Sequence, residues 1–365
     1  MEHNPRVGLV LIRANMRQLP EMQDAAALVD ADAETAAARL REVFDLHGPW
    51  IIDSPEALQI CQRALLETDL DMVVMAYQTQ AGEDYLAGLI QTIASCPLVV
   101  WCYVPWRRFP QSAGFVEVLR GSGPAGTFSA LGTMHNLGAS FLFTYGSPDD
   151  PRLIGDLRRA GRAARLRRSL RAARYGLLPS QDNTAQSSFV DPYRLLADFG
   201  PQVQDIPPAE YRQVTGALSQ AQVDAYAAQL RQSFPIYGVS DEMTAAAARA
   251  ALGLAHLAAG RRLDVLAVSD TSPWLDGPPG TRPSLYPALL DTAGALFQPA
   301  AELSAATAGD ILRRLTGSPV MLLELWFWDG PKNLVVGGHL GVQDPALAPP
   351  GKAAIGTYRD ILHPA

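Results

Sequence analysis

Short, uninterrupted apolar runs alternate along this chain with longer stretches in which apolar and polar residues recur at helical spacing. "VGLVLI" (7–12) predicts a buried strand. "DAETAAARLREVFDLHG" (32–48) predicts a helix with an acidic first turn and a stop at Gly48. "PWIID" (49–53) returns as a strand, and "SPEALQICQRALLET" (54–68) opens a helix with Ser54 as cap and Pro55 at its first position. Then follow the strand "DMVVMAY" (71–77), a helix over 83–95, the strand "PLVVWCYV" (97–104), the helix "TFSALGTMHNLG" and the strand "SFLFTYG" (140–146). Strands that are apolar throughout, each followed by a helix, mean a parallel sheet covered on both faces. Residues 1–155 therefore predict a doubly wound, Rossmann-like α/β domain.

A long helix over about 149–174 carries the chain onward, and the alternation resumes with a short strand at "RYGLLPS". "DPYRLLADFG" (191–200) is a capped helix, "PQVQDI" a strand and "PPAEYRQV" another turn of helix. Helices over 219–233 and 241–260 precede the strand "LDVLAVS" (263–269). Residues 156–300 thus predict a second doubly wound α/β domain, with the proline- and glycine-rich stretch 270–285 as a loop over an opening. Residues 301–365 change character: one helix, the runs "PVMLLELWFW" and "NLVVGG", and a proline-rich tail, a short β-rich C-terminal segment.

Composition narrows the class. The 365 residues are 48% hydrophobic and 18% charged, as in a soluble globular protein, and no window has the eighteen or so uncharged apolar residues of a membrane span. The opening "MEHNPRVGLVLIRANM" has no signal-peptide pattern, and Cys61, Cys96 and Cys102 have neither metal-ligand spacing nor an even count for disulfides. Free thiols in a cytoplasmic protein are the simplest expectation. A formal charge of −7 argues against a nucleic-acid-binding surface. One stretch dissents: "RRAGRAARLRRSLRAAR" (158–174) has eight arginines in seventeen positions. Without interleaved aromatics to stack a base, it reads as a solvated or interface helix whose arginines meet acidic neighbours.

Candidate chemistry gathers near the end. Glu302 stands at or just before the first turn of a helix in "QPAAELSAATAGDILRRL". Glu324 interrupts the apolar run "VMLLELWFW", and a carboxylate buried there needs a positive partner. His339 follows "NLVVGG", where Gly337 and Gly338 would let the backbone turn and bring the imidazole inward. Two carboxylates and one imidazole form a mixed oxygen and nitrogen set suited to Mn²⁺, Co²⁺ or a similar divalent ion. Each residue also has an ordinary reading: Glu302 as a carboxylate favoured by the helix dipole, Glu324 on an outward strand face, His339 as a loop histidine. The aromatic cluster Trp326, Phe327 and Trp328 is either core or an apolar contact patch. Asp270, Trp274 and Asp276 are candidates for a cleft lining or for a surface loop.

The order and surroundings of these three residues resemble the L-arabinose isomerase and L-fucose isomerase superfamily. "LTGSPVMLLE" is similar to the family's turn leading into an acidic strand end, and "GGHLGVQDPALA" to its histidine element; "DPYRLLADFGPQVQDIPPAEY" resembles its second-domain segment. The resemblance implies that Glu302, Glu324 and His339 hold a divalent metal, Mn²⁺ or another such as Co²⁺, with Glu302 and Glu324 also serving as acid and base in an aldose–ketose isomerisation of a pentose or 6-deoxyhexose through a cis-enediol. It further implies a homotrimer or homohexamer. The chain departs from the family in two places. The C-terminal segment 301–365 is incomplete relative to the family's barrel-like domain, with His363 the only later histidine, and "LRGSGPAGTFSAL" stands where the family has a sugar-contact segment. A non-catalytic sugar-binding or regulatory protein on the same scaffold is therefore the alternative.

Overall fold

A computed structural model describes residues 4–18, 22–181, 189–269, 272, 275, 283–292, 294–339 and 343–357. The chain divides into two compact units at Arg168/Ser169, and the residues after 300 belong to the second.

The first unit is built from β1 (Arg6–Ile12), α1 (Gln23–Arg41), β2 (Asp45–Ile52), α2 (Pro55–Glu67), β3 (Met72–Tyr77), α3 (Leu86–Thr92), β4 (Leu98–Tyr103), α4 (Phe115–Arg120), α5 (Gly123–Asn136), β5 (Leu142–Gly146) and α6 (Pro151–Arg171). Its five strands lie in the order β2-β1-β3-β4-β5, every pair parallel. The two-residue period of a strand explains why both faces are buried. Val7, Leu9 and Leu11 of β1 pack with Ala33, Ala36 and Leu40 of α1 and Leu153 and Leu157 of α6. Val10 and Ile12 point the other way, onto Cys61 of α2, Leu86 and Leu89 of α3 and Met134 of α5. The cap read at Ser54 is present, its hydroxyl accepting the Ala57 amide at 3.1 Å. The three cysteines are free thiols, and burial pushes that of Cys61 up to about 12.

One boundary differs from the sequence reading. The helix expected over 32–48 begins earlier, at Gln23, and ends at Arg41, while Asp45–Gly48 is already strand β2. The alanine-rich stripe of α1 ends at Leu40, and Phe44 then plugs the core beneath the sheet. Gly48, at φ 89°, falls in β2 where its pairing with β1 shifts register, so its glycine signal marks an irregular strand and not a helix stop.

The second unit contains β6 (Arg174–Leu178), α7 (Pro192–Asp198), β7 (Gln202–Asp205), α8 (Pro208–Gly216), α9 (Gln220–Ser233), β8 (Ile236–Tyr237), α10 (Asp241–Arg261), β9 (Val265–Val268), β10 (Leu296–Pro299), α11 (Leu303–Thr316), β11 (Glu324–Asp329), β12 (Leu334–Gly338) and β13 (Ile355–Gly356). Its main sheet is again wholly parallel, in the order β10-β9-β6-β7. Leu266 and Val268 face Tyr211 of α8 and Leu254 and Leu257 of α10. Val265 and Ala267 face Leu303 and Ala306 of α11 and Leu195 of α7. The antiparallel hairpin β11–β12 and the short parallel pair β8–β13 stand apart from this sheet. Both units are thus α/β with parallel sheets and alternating helices. No helix among the described residues is long and apolar enough to cross a membrane.

Asp310 fixes α11 to this sheet. It is fully buried, and its carboxylate accepts the Tyr175 hydroxyl of β6 at 2.9 Å, Arg314 Nε at 2.9 Å and Arg313 at 3.1 Å. Arg314 also reaches Asp264, at the foot of β9, at 2.8 Å, and the other Asp264 oxygen accepts the Arg174 amide at 3.0 Å. Burial and the neighbouring Asp310 charge both push the Tyr175 phenol upward, so it remains a donor. Removing one member of a buried ionic cluster strands the others. Asp310→Ala is expected to destabilise the second unit by about 3 kcal/mol, and Asp310→Asn, which keeps an acceptor for Tyr175, by less; urea denaturation of both variants measures the difference.

Candidate functional site

Open α/β sheets bind ligands outside the carboxyl ends of their strands, where the strand order reverses. In the second unit the order β10-β9-β6-β7 reverses at β6, and Glu302 lies beyond the outermost strand, three residues past the end of β10 and directly before α11. The approach to it is strained. Ala300 and Ala301 both adopt left-handed backbone, at φ 62° and 52°, a conformation that costs an L-residue with a Cβ roughly 1 kcal/mol or more. Ala301 is fully buried and its amide donates to Val268 O at 3.1 Å, so the neighbouring strand holds the kink in place. Glu302 is the N-cap of α11, yet its carboxylate makes no capping hydrogen bond. A half-buried carboxylate is thereby left at the positive end of a fourteen-residue helix.

After α11 the chain doubles back, with Val320 against Gly309 in the middle of the helix. The hairpin register then sets Glu324 opposite Gly338, the residue before His339, so these two predicted residues come to the same end of β11–β12. His339 is half-buried. Glu324 is exposed, and its Oε2 accepts the Trp326 indole at 3.3 Å. The expected burial of this carboxylate is absent because the whole of β11 is exposed but for Asp329. The glycines before His339 also play a different part from the one expected. Gly337 and Gly338 pair within β12 and are not in left-handed conformation. A Cβ on Gly338 would lie 2.7 Å from the Trp326 ring, and one on Gly337 2.9 Å from the Glu324 carbonyl, so their smallness admits β11's atoms. Among the described residues no three histidine, cysteine or acidic side chains stand close enough to share one ion. Within one chain, then, Glu324 and His339 share a hairpin end and Glu302 stands at the head of α11. Asp270, Trp274, Asp276 and His363 lie outside the described residues.

The first unit carries a second polar edge that sequence reasoning missed. Its order places the reversal between β1 and β3, and the two strand ends are tied there: Gln78 N donates to Ile12 O at 2.7 Å and Ala14 N to Thr79 Oγ1 at 3.0 Å. Arg13, 7% exposed, donates to Asp30 at 2.7 Å and reaches Asp53 at 3.5 Å. Burial alone would raise the Asp30 carboxyl, but Arg13 and then Arg17 outweigh it and hold the group below its ordinary value. Gln80 N donates to Ser122 Oγ at 2.8 Å, and the Arg120 guanidinium grips Asp32 with two bonds of 2.8 Å beneath the Trp106 ring. Gln78 Oε1 is buried without a hydrogen-bond partner among the described residues. The available signal was polar residues placed directly after buried strands, in "LIRAN" and "AYQTQ".

"LRGSGPAG" borders this edge, and its glycines serve packing. A Cβ on Gly123 would stand 2.4 Å from Tyr77 O and 2.6 Å from Tyr103 O. The arginine-rich helix α6 meets acidic neighbours as expected: Arg168 pairs with Asp69 and Asp71, and Arg159 with Asp156. Compared with known proteins, the chain matches no family model and no curated sequence.

Two substitutions test these edges. Ala300→Gly removes left-handed strain while adding freedom to the unfolded chain, so it is expected to be neutral or up to about 1 kcal/mol stabilising; a glycine scan of nearby alanines by thermal unfolding supplies the contrast. Gly123→Ala forces a methyl onto two strand carbonyls that cannot yield separately and is expected to cost about 1–3 kcal/mol, read as a lowered denaturation midpoint.

Proposed function

We propose that this chain is a sugar-handling protein whose chemistry is aldose–ketose isomerisation of an open-chain pentose or 6-deoxyhexose. The observation that carries the reading is the strained pair Ala300–Ala301, which holds Glu302 at the carboxyl edge of the second sheet without using its carboxylate as a cap. Backbone strain that the surrounding structure maintains clusters at working sites, and a carboxylate held for use elsewhere is what proton transfer needs. Glu324, paired opposite the residue before His339, would supply the second carboxylate, and His339 an imidazole.

In this reading one glutamate takes the proton from C2 of the aldose and the other delivers a proton to C1, through a planar cis-enediol. A proton leaves C2 and one returns to C1 while the O2 hydroxyl proton passes to O1, and in this reading the two carboxylates divide these transfers. Glu302, Glu324 and His339 would also hold a divalent ion, Mn²⁺ or Co²⁺, which when bound supplies polarisation of the sugar carbonyl. The exposure of Glu324 and the absence of a three-ligand cluster among the described residues favour a second reading: a sugar-binding or regulatory protein that keeps the scaffold without the reaction.

One experiment separates the two. The purified protein, equilibrated with Mn²⁺ and freed of excess ion, is assayed for bound metal and for solvent deuterium entering C1 or C2 across a panel of aldoses. The isomerase reading expects about one ion per chain and exchange on at least one sugar, with exchange falling at least a hundredfold in Glu302→Gln. Sugar binding without exchange supports the second reading, and neither binding nor exchange on any aldose removes both.

A further inference from the structure

The hairpin β11–β12 has an unusual surface. Trp326, Phe327 and Trp328 on β11 and Leu334, Val335 and Val336 on β12 are each between 51 and 72% exposed. These residues are consecutive on each strand, so they lie on both faces of the ribbon. Strands apolar on both faces belong to sheets that are covered on both faces, and a two-stranded hairpin alone is at best marginally stable in water. With Leu323 and Leu325, also exposed, the two faces together present eight large apolar side chains, on the scale of the roughly 800 Å² that each partner gives to a standard interface.

The charges select the occupant. Pairing β11 antiparallel with the β11 of another copy would set Glu324 opposite Asp329, acid against acid. From Leu334 to Gly338, β12 carries no charge and no proline, and among the described residues its outer edge has no strand neighbour. It lacks the lysines and prolines that guard edge strands against pairing. An uncharged strand that opposes itself without repulsion suits a contact in which both partners use the same surface.

We infer that a second copy of this chain covers the hairpin by reciprocal exchange: each copy's β11–β12 ribbon lies across the other, with the two β12 edges paired about a twofold axis. Edge pairing joins the two ribbons into a four-stranded sheet, and its faces are covered where each ribbon lies against the body of the other copy, which is why exchange is favoured over a flat contact. The assembly is therefore even-numbered. It does not depend on the sugar chemistry proposed above.

Sedimentation velocity on the full chain over a hundredfold dilution tests this. Wild type is expected to run as a dimer or a higher even-numbered assembly. Val335→Lys, which places a charge on the self-pairing edge, is expected to weaken association at least tenfold while leaving the far-ultraviolet circular dichroism unchanged. Hydrogen exchange on wild type guards against a variant that fails to fold: amides of 334–338 are expected to be protected when concentrated and to lose at least tenfold protection on dilution. A wild-type monomer or trimer, an unchanged assembly in a folded Val335→Lys, or amides equally unprotected at all concentrations would each overturn the inference.

Discussion

Asp310 has no exposure to water, and a carboxylate in that position survives only because three donors converge on it. Two of those donors belong to its own helix, and the third, the Tyr175 hydroxyl, belongs to the neighbouring strand. Through Arg314 the same cluster reaches Asp264 at the foot of β9. The network is what sets the rotation and height of α11 on the sheet. Leucine and alanine contacts along the helix are non-directional, and they would tolerate a slip that a set of charged hydrogen bonds does not. These bonds hold α11 at its middle, and at its head Ala300 and Ala301 take up left-handed backbone to join it to the end of β10. Glu302 follows that join directly.

The same logic appears in the first unit with different parts. Parallel strands deliver all their carboxyl ends to one edge, and at the reversal between β1 and β3 the main chain of one strand is bonded to the other. Arg13, Asp30 and Asp53 then gather where the apolar runs end, since charge is excluded from the runs themselves. Gly123 lets α5 begin against two strand carbonyls. The result is a close-packed floor under a polar rim.

Where the two units follow these rules, the hairpin breaks them. Its strands carry the apolar character of a covered sheet, yet among the described residues they pair only with each other. Its glycines are shaped by Trp326 and Leu323 lying over them, so the ribbon has internal packing, and what it lacks is a surface to lie on. The exposure of Glu324 follows from the same fact: the strand that holds it is uncovered.

Much of the fold was legible along the chain. Buried strands such as Val7–Ile12 and Met72–Tyr77 announce themselves because burial on both faces demands unbroken apolar residues, and Ser54–Pro55 marks a helix start through local hydrogen bonding alone. Alternation of such signals is enough for two parallel α/β units. Less was visible where local signals compete. Gly48 looks like a helix stop and lies in a strand, and "LFQP" is too short to stand out as β10, though it forms the sheet edge that leads to Glu302. The three residues of the candidate trio could be named from the sequence, but burial and convergence depend on contacts between distant segments, and no local pattern encodes those. Periodicity and capping, which act within a few residues, determined which segments become strands and helices. Which side chains meet, which carboxylate is held under strain and which ribbon stays uncovered were decided by tertiary packing, because each depends on how residues far apart in the chain close around a shared space.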